Sequence, residues 1–182
     1  MSNPLQFEAF MRNYQNMVFT TAYRLLADET EAQDIAQEVF LRAYAHFGDL
    51  STSRTAGGWL KTVTRNLCLN HLTRHRSRQR LFSELAPGED SDSENPAESF
   101  AAPDTFAATI DSGEQQALLA EALEKLPAAQ RVPLVLHHLE DMSYEEIAHR
   151  LNISLAKVRL DIHRGRLALR RILTLNPEAR PT

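Results

Sequence analysis

Three features of the sequence predict an all-α fold built as two small helical domains. Apolar residues recur every three to four positions through most of the 182-residue chain. Turn-forming residues fall between these runs. A polar, acidic segment without sustained periodicity divides them. Apolar residues make up 43% of the chain, enough for packed cores, so wholesale disorder is excluded.

The elements follow in order. Phe7, Phe10, Met11, Tyr14, Met17, Val18, Thr21 and Leu25 share one face of a helix over about 5–27. A second helix is expected from near Thr30, with Gln33 as its capping-box partner. Its inner line is Ile35, Val39, Ala43 and Phe47, and Gly48 is expected to end it. Residues 48–58 read as a loop rich in Gly, Ser and Thr. A third helix is expected from near Trp59 into a basic stretch, with Leu60, Val63, Leu67 and Leu72 inward. Three amphipathic helices in residues 1–80 suit a compact bundle.

Residues 81–112 read as a flexible acidic linker. A relaxed chain of that length spans roughly 30 Å and its extended limit is roughly 110 Å. The second domain is expected over 113–175, followed by a polar tail, 176–182. Its first helix carries Leu118, Leu119, Ala122, Leu123 and Leu126, and Pro127 opens a second with Val132, Val135, Leu136 and Leu139. Ser143 and Glu146 form a capping box at the start of a short helix containing Ile147, Ala148 and Leu151. Asn152 suits a left-handed turn, and Ser154 can cap a last helix whose inner face is Val158, Ile162, Leu169 and Ile172 or Leu173.

The formal charge of -4 would argue against nucleic acid as a partner, but the charge is unevenly placed. Residues 81–113 hold eight acids and no Lys or Arg. Residues 61–80 hold six bases and no acid, and residues 154–171 hold six bases and one acid, Asp161. Two basic patches are therefore separated by an acidic spacer. The spacer is expected to reduce stray DNA binding by screening these patches, or simply to add solubility.

The strongest local signal lies in 143–171: a short capped helix, a tight turn and a basic helix, the arrangement of a helix-turn-helix. With Val158 and Ile162 inward, the outer face presents Lys157, Arg159, Leu160, His163 and Arg164. Arg and Lys donate to guanine or phosphate, and an exposed Leu can contact a thymine methyl. An ordinary solvated helix pair would show the same periodicity. The patch on 61–80 is weaker alone, because cations are favourable at any helix C-terminus. Trp59, Thr62, Arg65 and Asn66 strengthen it, since an aromatic, a hydroxyl and an amide beside cations can grip unstacked bases. Trp59 also suits core packing. The second helix carries an ordered outer face, Asp34, Gln37, Glu38, Leu41 and Arg42, which reads as a solvated face or a partner surface.

Four phrases resemble the bacterial extracytoplasmic-function (ECF) RNA polymerase sigma factors: EAQDIAQEVFLRAYAHF (31–47), GGWLKTVTRNLCLNHL (57–72), LPAAQRVPLVLHHLEDMSYEEIAHRLNIS (126–154) and VRLDIHRGRLALRR (158–171). They occur in the family's order and cover most of the chain outside the linker and tail. The resemblance implies a sigma region 2 bundle at 1–80 and a sigma region 4 helix-turn-helix at 113–175. Asp34, Gln37, Glu38, Leu41 and Arg42 would face the β′ clamp helices of core polymerase. Asp49, Ser51, Ser53 and Arg54 fall in the loop that captures a flipped −10 base, with Trp59, Thr62, Arg65 and Asn66 beside them. Lys157, Arg159, Leu160, His163 and Arg164 would read the −35 element, with His137 at phosphate. The linker would thread through polymerase, its β subunit included, and an anti-sigma factor is the expected regulator. Three positions depart from the family's pattern: Thr62 stands where many relatives have a cation, Leu160 stands for a small polar residue, and Asp161 for a base. An acid there would cost affinity for phosphate or accept from cytosine N4.

Other classes find less support. A stand-alone helix-turn-helix regulator would need a dimer seam or a ligand pocket, and neither has a signature here. His71 and His75 have the i,i+4 spacing of metal ligands, but neighbouring arginines repel a cation and no third ligand is evident. There is no P-loop, dinucleotide turn or nucleophile elbow. The reading is a non-enzyme without cofactor or metal. No basic segment leads into an apolar run at the N-terminus, so a cytoplasmic protein is expected. The single cysteine, Cys68, lies in an apolar pattern and reads as a buried thiol.

Overall fold

The computed structural model describes residues 4–83 and 113–175. Eight helices and no strands form among the described residues: α1 Pro4–Leu26, α2 Glu29–Ala45, α3 Phe47–Leu50, α4 Ala56–Ser83, α5 Gly113–Glu124, α6 Ala128–His138, α7 Tyr144–Leu151 and α8 Leu155–Leu175. Most of the acidic linker and the polar tail read from the sequence lie outside the described residues.

In the first module α1, α2 and α4 pack on one another. Val18, Ala22 and Leu25 of α1, Ile35, Val39 and Ala43 of α2, and Leu60, Cys68 and Leu69 of α4 are buried. Full burial of a Val or Leu side chain contributes about 1.5–3 kcal/mol, so this stripe is the main stabilising element. Between α1 and α2 the chain turns in two residues. Ala27 adopts φ 53 and Asp28 adopts extended backbone, accepting from Glu31 N at 2.9 Å. Asp28 is thus the cap of α2, two residues before the expected Thr30. Once Ala27 breaks α1, Asp28 is the first acceptor with the extended backbone a cap needs.

The second correction concerns 46–58. The helix α2 ends at Ala45 and His46 caps it, rather than Gly48. The expected loop is largely ordered: it holds α3, a turn, and the start of α4 three residues before Trp59. Aromatic packing explains this. Phe47 is buried edge-on against Phe7 (5.1 Å between centroids) and Phe10 (5.4 Å) of α1. Such edge-to-face pairs contribute about 0.5–1.5 kcal/mol beyond burial, enough to hold a one-turn helix in place. At the start of α4, a Cβ on Gly57 would lie 3.2 Å from Tyr14 Cε1, so glycine permits that close approach.

The second module places α6 across α8, with α5 and α7 alongside. The capping box holds as expected: Glu146 N donates to Ser143 Oγ at 3.2 Å, and Ser143 N donates to Glu146 Oε2 at 2.8 Å. Asn152 takes the left-handed conformation, φ 53 and ψ 50. Ser154 Oγ accepts from Lys157 N at 3.1 Å and so caps α8. Val158, Ile162 and Leu169 are buried, as expected. At the α6–α8 crossing a Cβ on Gly165 would lie 3.2 Å from the Gln130 carbonyl. Glycine lets the two backbones come this close without the neighbour having to give way.

The modules are not separate bodies. Their buried residues form one continuous apolar cluster, with α1 packed on α5 and α6, and α4 touching α7. Arg131 of α6 is buried at this junction and donates to Leu25 O (3.3 Å), Leu26 O (3.2 Å) and Leu126 O (2.8 Å). The last carbonyls of a helix lack partners within it, so Arg131 caps α1 from the other module.

Candidate nucleic-acid and polymerase interfaces

Three surfaces carry the residues singled out from the sequence. The first is the outer face of α2. Its inner residues Ile35, Val39 and Ala43 are buried, which turns Asp34, Gln37, Leu41 and Arg42 outward. Glu38 is half-buried and accepts from Arg42 Nε at 2.8 Å, one helical turn away. Leu41 is 68% exposed and Tyr44 beside it is exposed as well, so the two form an apolar patch within a polar face. It borders a groove between α1 and α2 lined by Phe7, Met11, Phe19, Phe40 and Tyr44.

The second surface is α3, the following turn and the front of α4. Asp49, Ser51 and Arg54 are exposed, and Ser53 is half-buried with its Oγ 2.9 Å from Thr55 Oγ1. Trp59 is half-buried and packs edge-on against His46 at 5.8 Å, supporting the turn. Thr62 is exposed. Arg65 and Asn66 are half-buried because the second module lies over them. Arg150 of α7 donates to Asn66 Oδ1. Lys61 donates to the Leu139 carbonyl at 3.0 Å, and its Nζ lies 3.8 Å from Glu140 Oε1.

The third surface is the outer face of α8. Lys157, Arg159 and Arg164 are exposed. Leu160 and His163 are half-buried, so Leu160 offers less surface than expected of an outward residue. Asp161 is buried and accepts from Lys157 Nζ at 2.9 Å. Its carboxylate is directed to Lys157 rather than to the exposed face of the helix. His137 also turns inward, its Nδ1 2.9 Å from the Met142 carbonyl and its ring 4.5 Å from Tyr144.

Sequence reasoning missed the charges at the junction. Glu140 is 7% exposed, and burial raises its carboxyl above the usual range while Lys61, Arg65 and Arg24 oppose that rise. Burial likewise lowers Arg24 and Arg131. Tyr23 donates to Glu124 Oε2 at 2.9 Å, a further link between modules. One signal was available: Arg131 falls one turn before Val135 on a buried stripe, and a cation on an apolar face needs carbonyls or an acid.

Comparison with known proteins places the chain in a family. Residues 10–78 match the family model for sigma-70 region 2, and residues 116–169 match that for sigma-70, region 4. The ECF RNA polymerase sigma factor SigW of Bacillus subtilis is 32% identical over 162 residues, covering 88% of this chain and 84% of SigW. The chain belongs to the ECF RNA polymerase sigma factors. SigE of Mycolicibacterium smegmatis is 37% identical, covering 90% of this chain and 60% of that relative. A solved structure of the sigma factor RpoE with the anti-sigma factor NepR from Bartonella quintana aligns at TM-score 0.47 and 20% identity, over 93% of this chain and 98% of that one. The region 2 match spans the first two surfaces of this sigma factor, and the region 4 match contains the third. No helix among the described residues is long and apolar enough to cross a membrane, and no group of three or more candidate metal ligands occurs among them.

Proposed function

We propose that this sigma factor binds core RNA polymerase through α2 and directs initiation by reading two promoter elements. The β′ clamp helices meet Asp34, Gln37, Glu38, Leu41 and Arg42. The turn Asp49–Arg54 and the α4 residues Trp59, Thr62, Arg65 and Asn66 receive the melted −10 strand. Capture of a flipped base there offsets a few kcal/mol of unstacking. The exposed cations Lys157, Arg159 and Arg164 enter the major groove of the −35 element, with Leu160 and His163 at the edge of that contact and His137 behind it. The chain carries no bond-making chemistry of its own and works in the cytoplasm, with catalysis supplied by polymerase.

The observation that carries this reading is the exposure of Leu41 within an ordered polar face, on a chain that also presents a cationic helix-turn-helix. The groove beside Leu41 also suits a helix of an anti-sigma factor, which would compete with polymerase for α2. Transcription in vitro tests the function. Core polymerase with this protein should initiate at a promoter where core alone does not. A protein that binds duplex DNA without enabling core would be a stand-alone regulator. Co-purification from its native cell tests the anti-sigma reading, which fails if the protein is found only free or on polymerase.

A further inference from the structure

Glu8–Arg12 and Glu38–Arg42 are ordinary ion pairs between residues four apart on a helix: the acid comes first and both partners are well exposed. Lys157–Asp161 on α8 differs in both respects. The cation comes first, the weaker order on a helix. The Asp161 side chain is only 6% exposed, against 45% for Lys157. Its neighbours on that face, Val158 and Ile162, are fully buried. A carboxylate withdrawn from water in such surroundings needs a charged partner, and Lys157 Nζ supplies it at 2.9 Å. The ammonium cannot swing away without leaving that carboxylate bare. Lys157 also lies in the first turn of α8, where its amide donates to Ser154 Oγ at 3.1 Å. Backbone and side chain are thus both held. No such anchor holds Arg159 or Arg164 among the described residues. If packing were all that position 161 required, an apolar side chain would serve as well or better. What the acid adds is a fixed place for Lys157.

We infer that Lys157 is a specificity-determining residue of α8 and that Asp161 positions it: the anchored ammonium reads a guanine edge rather than a phosphate. The inference rests on the assignment of α8 to the −35 element. The N-terminal residues of a recognition helix are the ones that reach base edges. A lysine on a free stem behaves as a flexible point charge and is drawn to phosphate. Held at Asp161, the ammonium keeps its remaining N–H donors, and guanine O6 and N7 accept such donors side by side in the major groove. The acid works in the same direction. Paired with a carboxylate, Lys157 adds no net charge at this point of the helix, so it gains little from the phosphate backbone and releases few counterions. Lys157 therefore contributes selectivity with little affinity for DNA at large.

The test uses holoenzyme formed with full-length variants. Selection from duplexes with a randomised −35 element gives the base preference at each position. Binding to a duplex of unrelated sequence, followed against salt, reports the phosphate contacts. Lys157→Met keeps the stem and removes the charge. Preference for guanine should fall about tenfold or more at one position and persist elsewhere. Asp161→Asn keeps the shape and releases the ammonium. It should lose the same guanine yet bind unrelated duplex more tightly, with the log–log salt slope steeper by about 0.9 as Lys157 takes a phosphate. In the Lys157→Met background, Asp161→Asn should cause no further loss of preference. A merely structural role for Asp161 would weaken all sequences alike. The inference is overturned if Lys157→Met weakens every duplex equally and flattens the slope, which marks a phosphate contact, or if Asp161→Asn retains the guanine preference. Should Asp161→Asn fail to fold, Lys157→Met decides by the same criterion. If Arg159→Ala and Arg164→Ala also leave the −35 preference untouched, the fault lies in the assignment of α8 instead.

Discussion

Arg131 donates to the carbonyl of Leu26 at 3.2 Å, across the junction of the two modules. The bond closes the C-terminus of α1 with a residue more than a hundred positions away. Arg131→Met keeps the volume and leaves the Leu25 and Leu26 carbonyls without their donor. Each unmade buried bond costs about 1–3 kcal/mol, so the variant should lose about 2–4 kcal/mol. Urea denaturation followed by circular dichroism checks this. An unchanged midpoint would mean that water replaces the guanidinium at no cost.

The turn Ala27–Asp28 allows a change in the opposite direction. Ala27 holds φ 53, where a Cβ costs roughly 1–2 kcal/mol. Ala27→Gly removes that strain but adds freedom to the unfolded chain, so a net gain of about 0.5–1 kcal/mol is expected. Asp28→Ala removes the cap of α2 and should cost about 1 kcal/mol. Thermal melts of the two variants should move in opposite directions.

Cys68 makes alkaline pH a probe of the first module's core. Burial, aided by the charge of Glu140, pushes its thiol up to about 12 from 9.0. The unfolded chain releases this proton near 9.0, while the folded chain keeps it to about 12. Its contribution to stability is therefore complete below 9.0 and is lost as pH rises toward 12. Cys68→Ala should flatten this alkaline fall. The native thiol should resist alkylation at pH 8 and react once the protein is denatured.

The capping box separates folding from recognition in the second module. Ser143→Ala should cost about 1 kcal/mol by leaving the Glu146 amide without its acceptor. Bonding to Ser143 also holds the Glu146 carboxyl below its ordinary range, so this support is present above that range and lost in acid. Arg159→Ala, at an exposed position, should leave the melting temperature unchanged and weaken −35 duplex binding. Paired melts and gel shifts distinguish the two variants. A large loss of stability in Arg159→Ala would place that residue in the core of the domain.

For the first two surfaces, core binding and transcription should part company. Leu41→Asp should abolish binding to core, because a charge would have to be buried at the interface. Asn66→Ala should leave core binding intact and reduce transcription. Equal loss of both activities in Asn66→Ala would contradict its placement at the −10 strand.

Local chemistry was the legible part of this chain. Ser143, Glu146, Asn152 and Ser154 each act within a few residues of themselves, and each behaves in the structure as its type and spacing predict. Periodicity likewise gave the buried faces of α1, α2 and α8. Where two local options competed, the reading slipped: Asp28 and Thr30 are both good caps, and the backbone break at Ala27 decides between them. Phe47 turned an expected loop into a helix through partners forty residues away. Asp161 was legible as an acid but not as a buried partner of Lys157, because its facing depends on how α8 rolls against α6. Least legible was the junction itself. Glu140 and Arg131 meet groups of the first module, and nothing periodic records such distant pairing.

The close crossing at Gly165 bears on how promoter preference evolves. A Cβ there would lie 3.2 Å from the Gln130 carbonyl, so α8 and α6 would have to shift slightly against each other. If α8 reads the −35 element as proposed, Arg159 and Arg164 would then aim at different base edges although neither had changed. The register of this reading head is thus fixed from its rear, by a residue that need touch no DNA.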